Sequence, residues 1–183
     1  MTTQIGDEIA EIFEPFQPLP IPTEYGGVKF RSRLEARWAV FMDAARIRWA
    51  YKFEGYPLPS GGYVPDFWLP DLRVWLEIKP ATPSARERDL CAQLAYGTSR
   101  RVFLALGSPA LPADSGGSLH CWAADYDDSP YAFCECPECG ELGIEFEGRG
   151  DRVCGNRCTE TDRGHTGERT RFRKAVDAAR EWR

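Results

Sequence analysis

No run of apolar residues in this 183-residue chain approaches the ~18 needed to cross a bilayer, which excludes a helical membrane span. Lysine and arginine are missing from the first 25 residues, which hold Asp7, Glu8, Glu11, Glu14 and Glu24 instead, the reverse of a secretory leader. A soluble, cytoplasmic protein with no membrane partner is the expectation. There is no surplus of positive charge either. With 23 Lys+Arg against 28 Asp+Glu the formal net charge is −5, which argues against a histone-like tail and leaves room for local basic patches. Lysine is scarce, supplying four of the 23 basic residues: Lys29, Lys52, Lys79 and Lys174. Internal repeats and long low-complexity tracts are missing. The seven cysteines are an odd number, and five of them lie between Cys134 and Cys158, which suits metal ligation in a reducing compartment better than a disulfide framework.

What is there is enough for one full core plus a small attachment. Residues 1–28 carry Pro15, Pro18, Pro20 and Pro22 and then Gly26-Gly27, so they are expected to form an arm without regular helix or sheet pairing. From Ser32 to Glu35 the chain has the S-x-x-E form of a capping box. Leu34, Trp38, Phe41 and Ala45 follow at helical spacing, predicting a helix over 33–46. Three short aromatic or β-branched segments, 48–53, 63–69 and 73–79, read as consecutive antiparallel strands. A second capping box opens a helix over about 82–97, with Pro83 at its start and Gly97 at its stop. The compact apolar run 101–106 then reads as a strand that the helical crossover allows to lie parallel to its predecessor. A further strand is expected over 118–123 and a boundary near 125–131. Residues 132–165 have few large aliphatics, so something other than burial must hold them. Residues 166–183 read as a basic C-terminal helix with Phe172, Val176 and Ala179 on one side.

The chemistry concentrates in two acids and a lysine. Asp66 follows Pro65, and Glu77-Ile78-Lys79 comes ten intervening residues later. Because strand side chains alternate, Glu77 and Lys79 must leave the same face, and a neighbouring strand can bring Asp66 alongside. Two close carboxylates repel unless a proton or a divalent cation neutralises them. An ion such as Mg²⁺ takes oxygen ligands, can activate a water and can absorb phosphoryl charge, which suits phosphodiester hydrolysis. An acid two residues before a lysine is expected about 0.6 times by chance at this composition. The weight therefore lies in the conjunction of that pattern with Asp66 and with Glu35, although Glu35 also stands where a capping-box Glu belongs.

On Pro65-Asp66, Glu77-Ile78-Lys79 and the segments 30–38 and 63–70, the chain resembles the PD-(D/E)XK nuclease superfamily, specifically its small bacterial and phage members. The resemblance covers about residues 29–107. It implies a restriction-endonuclease-like α/β core, a central mixed sheet flanked by helices, here taken over 29–125. It also implies Mg²⁺ or Mn²⁺ on Asp66 and Glu77, Lys79 in the catalytic role, Glu35 as an additional acid at the metal site, and a bacterial or phage-infected host cytoplasm. Some relatives with exonuclease activity carry a Gln and a Tyr after the lysine. Gln93 and Tyr96 are spaced by three rather than four and are expected to pack or solvate their helix.

Cys136-x-x-Cys139 and Cys154-x-x-x-Cys158, 14 residues apart, have the spacing of a structural zinc ribbon, with a short strand over 144–146 between them. Cys134, His120 or His165 could replace one ligand. Cys91 and Cys121 read as buried small apolar residues. The ribbon, over 132–165, is expected as a small appendage that positions substrate or a protein partner.

Residues 29–48 carry a local net charge of +4 and 168–183 one of +3. Arg31, Arg33, Arg37, Arg169, Arg171, Arg173 and Lys174 are therefore the candidate phosphate contacts. The expectation is a metal-dependent nuclease acting on DNA, with RNA as an alternative substrate. Double-strand cutting is easiest for a homodimer. The rival reading is a non-hydrolytic nucleic-acid-binding module or a zinc-ribbon interaction subunit.

Overall fold

A computed structural model describes residues 19–111, 119–122, 130–146, 152–158 and 170–183, with 120–122, 130 and 170 described in backbone only. Most of the arm, 1–18, lies outside the described residues. Its end corrects the expectation of no pairing: β1 (Thr23–Tyr25) and β2 (Val28–Phe30) form an antiparallel hairpin. Gly26 and Gly27 turn it with φ of 56° and 76°, the left-handed pair that a two-residue hairpin loop requires.

Helix α1 (Arg33–Ala44) starts at Ser32, whose hydroxyl accepts from the Glu35 N–H at 3.2 Å. Of the stripe its spacing predicts it buries Trp38 and Phe41, with Met42 beside them, while Leu34 is half-buried and Ala45 falls at the C-cap. The expected strand over 48–53 is reduced to β3 (Ala50–Tyr51), because Lys52 turns left-handed at φ 48°. The expected strand over 63–69 is two strands. One is β5 (Gly61–Tyr63), paired with β4 (Tyr56–Leu58) in a small hairpin, and the other is β6 (Phe67–Leu69). Pro65, which has no N–H to donate, falls in the break between them. β7 (Val74–Lys79) pairs antiparallel with β6. Helix α2 (Ala85–Thr98) has a complete capping box between Ser84 and Glu87, so Pro83 precedes the cap. It runs past Gly97 to stop at left-handed Ser99.

β8 (Val102–Leu106) lies parallel to β7, and β9 (Leu119–Trp122) antiparallel to β8. Next come β10 (Pro130–Glu135), β11 (Leu142–Phe146) and β12 (Arg152–Cys154). These continue the same sheet, in the order β12-β11-β10-β9-β8-β7-β6-β3. The cysteine-bearing segment, expected as an appendage, is thus hydrogen-bonded to the central sheet. Tyr131, Leu142 and Ile144 are buried in the common core, which supplies the burial its own few aliphatics could not.

The sheet is mixed, with helices on both faces. Leu76, Ile78, Phe103 and Ala105 face the core built with α1 and α3 (Thr170–Glu181), to which α3 adds Phe172, Val176 and Ala179. Trp75, Val102 and Leu104 point the other way, toward Cys91, Leu94 and Ala95 of α2. This alternation sends Glu77 and Lys79 to the α2 face. No described helix is long and apolar enough to cross a membrane.

Candidate active site and cysteine cluster

Phe67 lies opposite Leu76, and the same antiparallel register extended by one residue puts Asp66 opposite Glu77. The pairing ends there, and the side chains take over its hydrogen bonds. The Asp66 N–H donates to Glu77 Oε2 at 3.0 Å, and the Ile78 N–H donates to Asp66 Oδ2 at 2.9 Å. Both carboxylates are buried, Asp66 completely, beneath the β6–β7 edge.

Three cations answer them. Lys79 Nζ lies 3.3 Å from Glu77 Oε1 and 2.9 Å from Glu87 Oε1 at the start of α2. Lys52 is ion-paired to Asp66 Oδ1, and Arg31 reaches the same oxygen at 3.4 Å. Arg31 also binds Glu35, at 3.0 Å from Oε1 through its guanidinium and at 3.0 Å from Oε2 through its own N–H. The Tyr51 hydroxyl donates to Glu35 Oε2 at 2.7 Å. The Glu35 side chain therefore does not close the capping box foreseen at Ser32. It turns inward, buried at 2% exposure, toward the Asp66 end of the pocket.

The electrostatics follow from this crowding. Burial, together with the Asp66 charge, pushes the Glu77 carboxyl up to about 7, against the pull of Lys79, the Asp66 N–H and the Tyr63 hydroxyl. Burial opposes the charge on Lys79, but Glu77 and Glu87 outweigh it and raise its pKa. Glu87 is held down at about 2. Burial works against ionisation there, and the Lys79 and Ser84 hydrogen bonds overcome it. Burial first, then the charge of Glu77, also raises the Tyr63 hydroxyl, which sits 3.9 Å from the Cys91 thiol.

Glu35, Asp66, Glu77 and Lys79 are thus brought together. Lys52, Tyr51, Tyr63 and Glu87 join them without having been singled out in the sequence. The one signal for Lys52 was the scarcity of lysine. Arg31 serves the carboxylates rather than standing free as a phosphate contact, although its side chain is 58% exposed. Arg33 is exposed and Arg37 half-buried. Arg171 is half-buried, 4.0 Å from Glu135 and over the Phe172 ring at 5.0 Å. Arg173 and Lys174 are exposed on α3, and Arg169 lies outside the described residues. Gln93 bridges the β4–β5 turn at Ser60 (2.7 Å) and Asp89 (2.6 Å), a packing role, and Tyr96 is exposed. Cys91 is fully buried, as expected of a small apolar residue.

The cysteines form a second centre. The ligand atoms of Cys136, Cys139, Cys154 and Cys158 all lie within 4.8 Å of one another, and Cys139 Sγ is 3.6 Å from Cys154 Sγ. Four sulfurs tetrahedrally placed at 2.3 Å from zinc would be about 3.8 Å apart, so the group can hold a metal ion of that kind. Each pair sits on a tight turn. The Gly140 N–H donates to the Cys136 carbonyl at 2.7 Å with Gly140 at φ 73°, and the Arg157 N–H donates to the Cys154 carbonyl at 2.9 Å. Burial disfavours the Cys136 thiolate, but the amide donors of Cys139 and Glu138 hold it down at about 7. Cys158 is pushed up to about 12 by its hydrogen bond with Cys139, by burial and by the other thiols. Four thiolates cannot coexist here without a cation. Cys134 is buried on β10 outside this group, and the side chains of His120, Cys121 and His165 lie outside the described residues.

Of the described residues it is the cysteines, not the carboxylates, that form a closed ligand group. The carboxylate pocket offers the oxygens of three buried acids, the donor type a hard cation takes, beside the cations of Arg31, Lys52 and Lys79 already paired to them. Asp66 Oδ2, which accepts from the Ile78 N–H, keeps a second lone pair, whereas Asp66 Oδ1 already meets both Lys52 and Arg31. Comparison with family models, curated proteins and solved structures gives no match.

Proposed function

We propose that the protein is a Mg²⁺- or Mn²⁺-dependent nuclease of the PD-(D/E)XK type that hydrolyses phosphodiester bonds of DNA, with Zn²⁺ as a structural ion on its four clustered cysteines. The observation that carries this reading is the meeting of buried Asp66 and Glu77 across the β6–β7 edge, with Lys79 on the same face as Glu77. Chance juxtaposition of two buried acids costs free energy, and a fold keeps such a pair where a cation or proton is part of its task.

Asp66 and Glu77 would hold the divalent cation, which would withdraw charge from a phosphoryl oxygen and acidify the attacking water. Lys79, kept charged by Glu77 and Glu87, would orient a water beside the site and stabilise the charge that builds on the phosphate. Arg31 holds Glu35 toward the pocket, and its exposed guanidinium can turn to a non-bridging oxygen. Lys52 balances Asp66.

The test is cleavage of plasmid and single-stranded DNA by the zinc-loaded protein with added Mg²⁺ or Mn²⁺, beside Asp66→Ala and Lys79→Ala. Metal-dependent cutting, reduced about 10³-fold in each variant, is expected. Equal cutting by the variants removes the assignment. DNA binding without cutting by the parent protein favours the non-hydrolytic module instead.

A further inference from the structure

At the other end of β7 the chain builds a second site, unrelated to the carboxylates. A groove of about 590 Å³, which adjoins the cysteine cluster at Cys154 and Cys158, is lined by Arg73, Arg100, Arg101, Arg152 and Arg157, with Asp71 as its acid. That acid is already engaged. Arg48 Nε lies 2.9 Å and 3.0 Å from its two oxygens. The arginines come from four separate places: the turn before β7, the approach to β8, β12, and the turn between Cys154 and Cys158. None belongs to the basic segments picked out from the sequence.

Two observations bear on how the groove walls are built. The cysteine turn packs directly on the β6–β7 connection, where a Cβ on Gly155 would come within 3.1 Å of the Asp71 carbonyl oxygen, so glycine lets the two walls approach closely. Arg73 and Arg157 both sit in the left-handed region, at φ 56° and 55°, where glycine or asparagine would be unstrained. Arginine at both positions puts an exposed guanidinium on each wall at the expense of backbone comfort. Planar guanidinium groups lining one groove suit phosphate in particular, since each can bind two oxygens at once.

We propose that this groove binds the phosphate backbone of a DNA strand. The choice of DNA over other polyanions rests on the nuclease reading. Arg73 and Glu77 lie four residues apart along the strand, so the groove and the carboxylates stand roughly 13 Å apart. At 3.4 Å per nucleotide along one strand, that is about four nucleotides between the anchoring phosphates and the reacting one.

The experiment is fluorescence anisotropy of a labelled 30-base-pair duplex with the zinc-loaded full chain and no added Mg²⁺, so that binding is read apart from cutting. Arg73→Gly/Arg157→Gly should weaken binding at least tenfold at 100 mM salt. It should also lower the slope of log affinity against log salt by about two. Because both substitutions relieve left-handed backbone, the melting temperature and zinc content should hold or rise, which separates lost binding from lost folding. Arg100→Gln, away from any strained position, should weaken binding independently. Arg46→Gln/Arg183→Gln, which removes the same charge outside the groove, should bind within twofold of the parent protein.

Groove variants that bind within twofold of the parent, or a control that weakens as much as they do, would overturn the proposal. Polyglutamate competing as well as DNA at equal charge would also overturn it, reassigning the groove to acidic peptides. The two readings fail separately. Arginine-dependent binding with no cutting in Mg²⁺ or Mn²⁺ refutes the nuclease and leaves a DNA-binding groove. Cutting with unchanged KM in the groove variants refutes the groove and leaves the nuclease.

Discussion

The carboxylate pocket and the cysteine cluster face the same electrostatic problem and meet it differently. Each crowds groups that repel when ionised. Around Asp66 and Glu77 the chain brings its own cations, Arg31, Lys52 and Lys79, and burial with the Asp66 charge raises the Glu77 carboxyl to about 7. Around the four thiols a metal ion is the natural remedy, because thiolates at that spacing are tetrahedral ligands in waiting. The pocket is charge-balanced by the chain's own residues, so on the proposed function it would exist with or without a divalent ion, whereas the cluster would depend on a bound ion for its shape.

Removing the cluster's ion should have the largest effect. Cys154→Ser, or chelation of the parent protein, is expected to destabilise the β11–β12 end of the sheet by several kcal/mol, since ligation energy is folding energy in such turns. Zinc stoichiometry and thermal melting together check this. Retained zinc and an unchanged melting temperature would break the contrast. Next comes Asp66→Asn. Chemistry should fall about 10³-fold while zinc content stays at one per chain, showing the two centres to be independent.

Glu77 gives a smaller and signed effect. Its folded pKa lies above its unfolded one, so the folded state holds the proton more tightly. Stability should therefore fall as pH rises from about 4.5 to 7 in the absence of added divalent ions. Glu77→Gln should flatten that dependence and raise stability at pH 7, by up to about 3 kcal/mol, as read from denaturant melts across the window. Steeper loss of stability on acidification through this window would contradict the assigned pKa. Ser84→Ala should be the mildest, at about 1 kcal/mol from the lost α2 cap. It should also lower cleavage severalfold by loosening Glu87 from Lys79 without touching zinc.

The two centres were unequally legible in the sequence. The cysteine spacing alone brought its four ligands together, because two turns of three and four residues close the group almost locally. The Asp66, Glu77 and Lys79 set was also legible, since alternation along one strand and an antiparallel neighbour suffice to align it. Its companions were not. Lys52 reaches Asp66 only because the chain turns left-handed at φ 48° after a two-residue strand, and no pattern of types announces that. Glu35 carried two readings, cap or site acid, and the choice between them lies in Arg31 and Tyr51, which only the folded chain brings near. The continuous sheet from β7 to β12 was hidden as well. A segment rich in Cys, Gly and Glu gave no sign that Tyr131, Leu142 and Ile144 would borrow a core from α1 and α3.

The most direct measurement is the binding of Mn²⁺ to the zinc-loaded protein, followed by electron paramagnetic resonance, for the parent chain beside Asp66→Asn and Cys91→Ala. The account predicts saturable binding at the carboxylate pocket in the parent and in Cys91→Ala, and its loss in Asp66→Asn. Equal binding by all three chains, or none by the parent, would contradict a cation shared between Asp66 and Glu77.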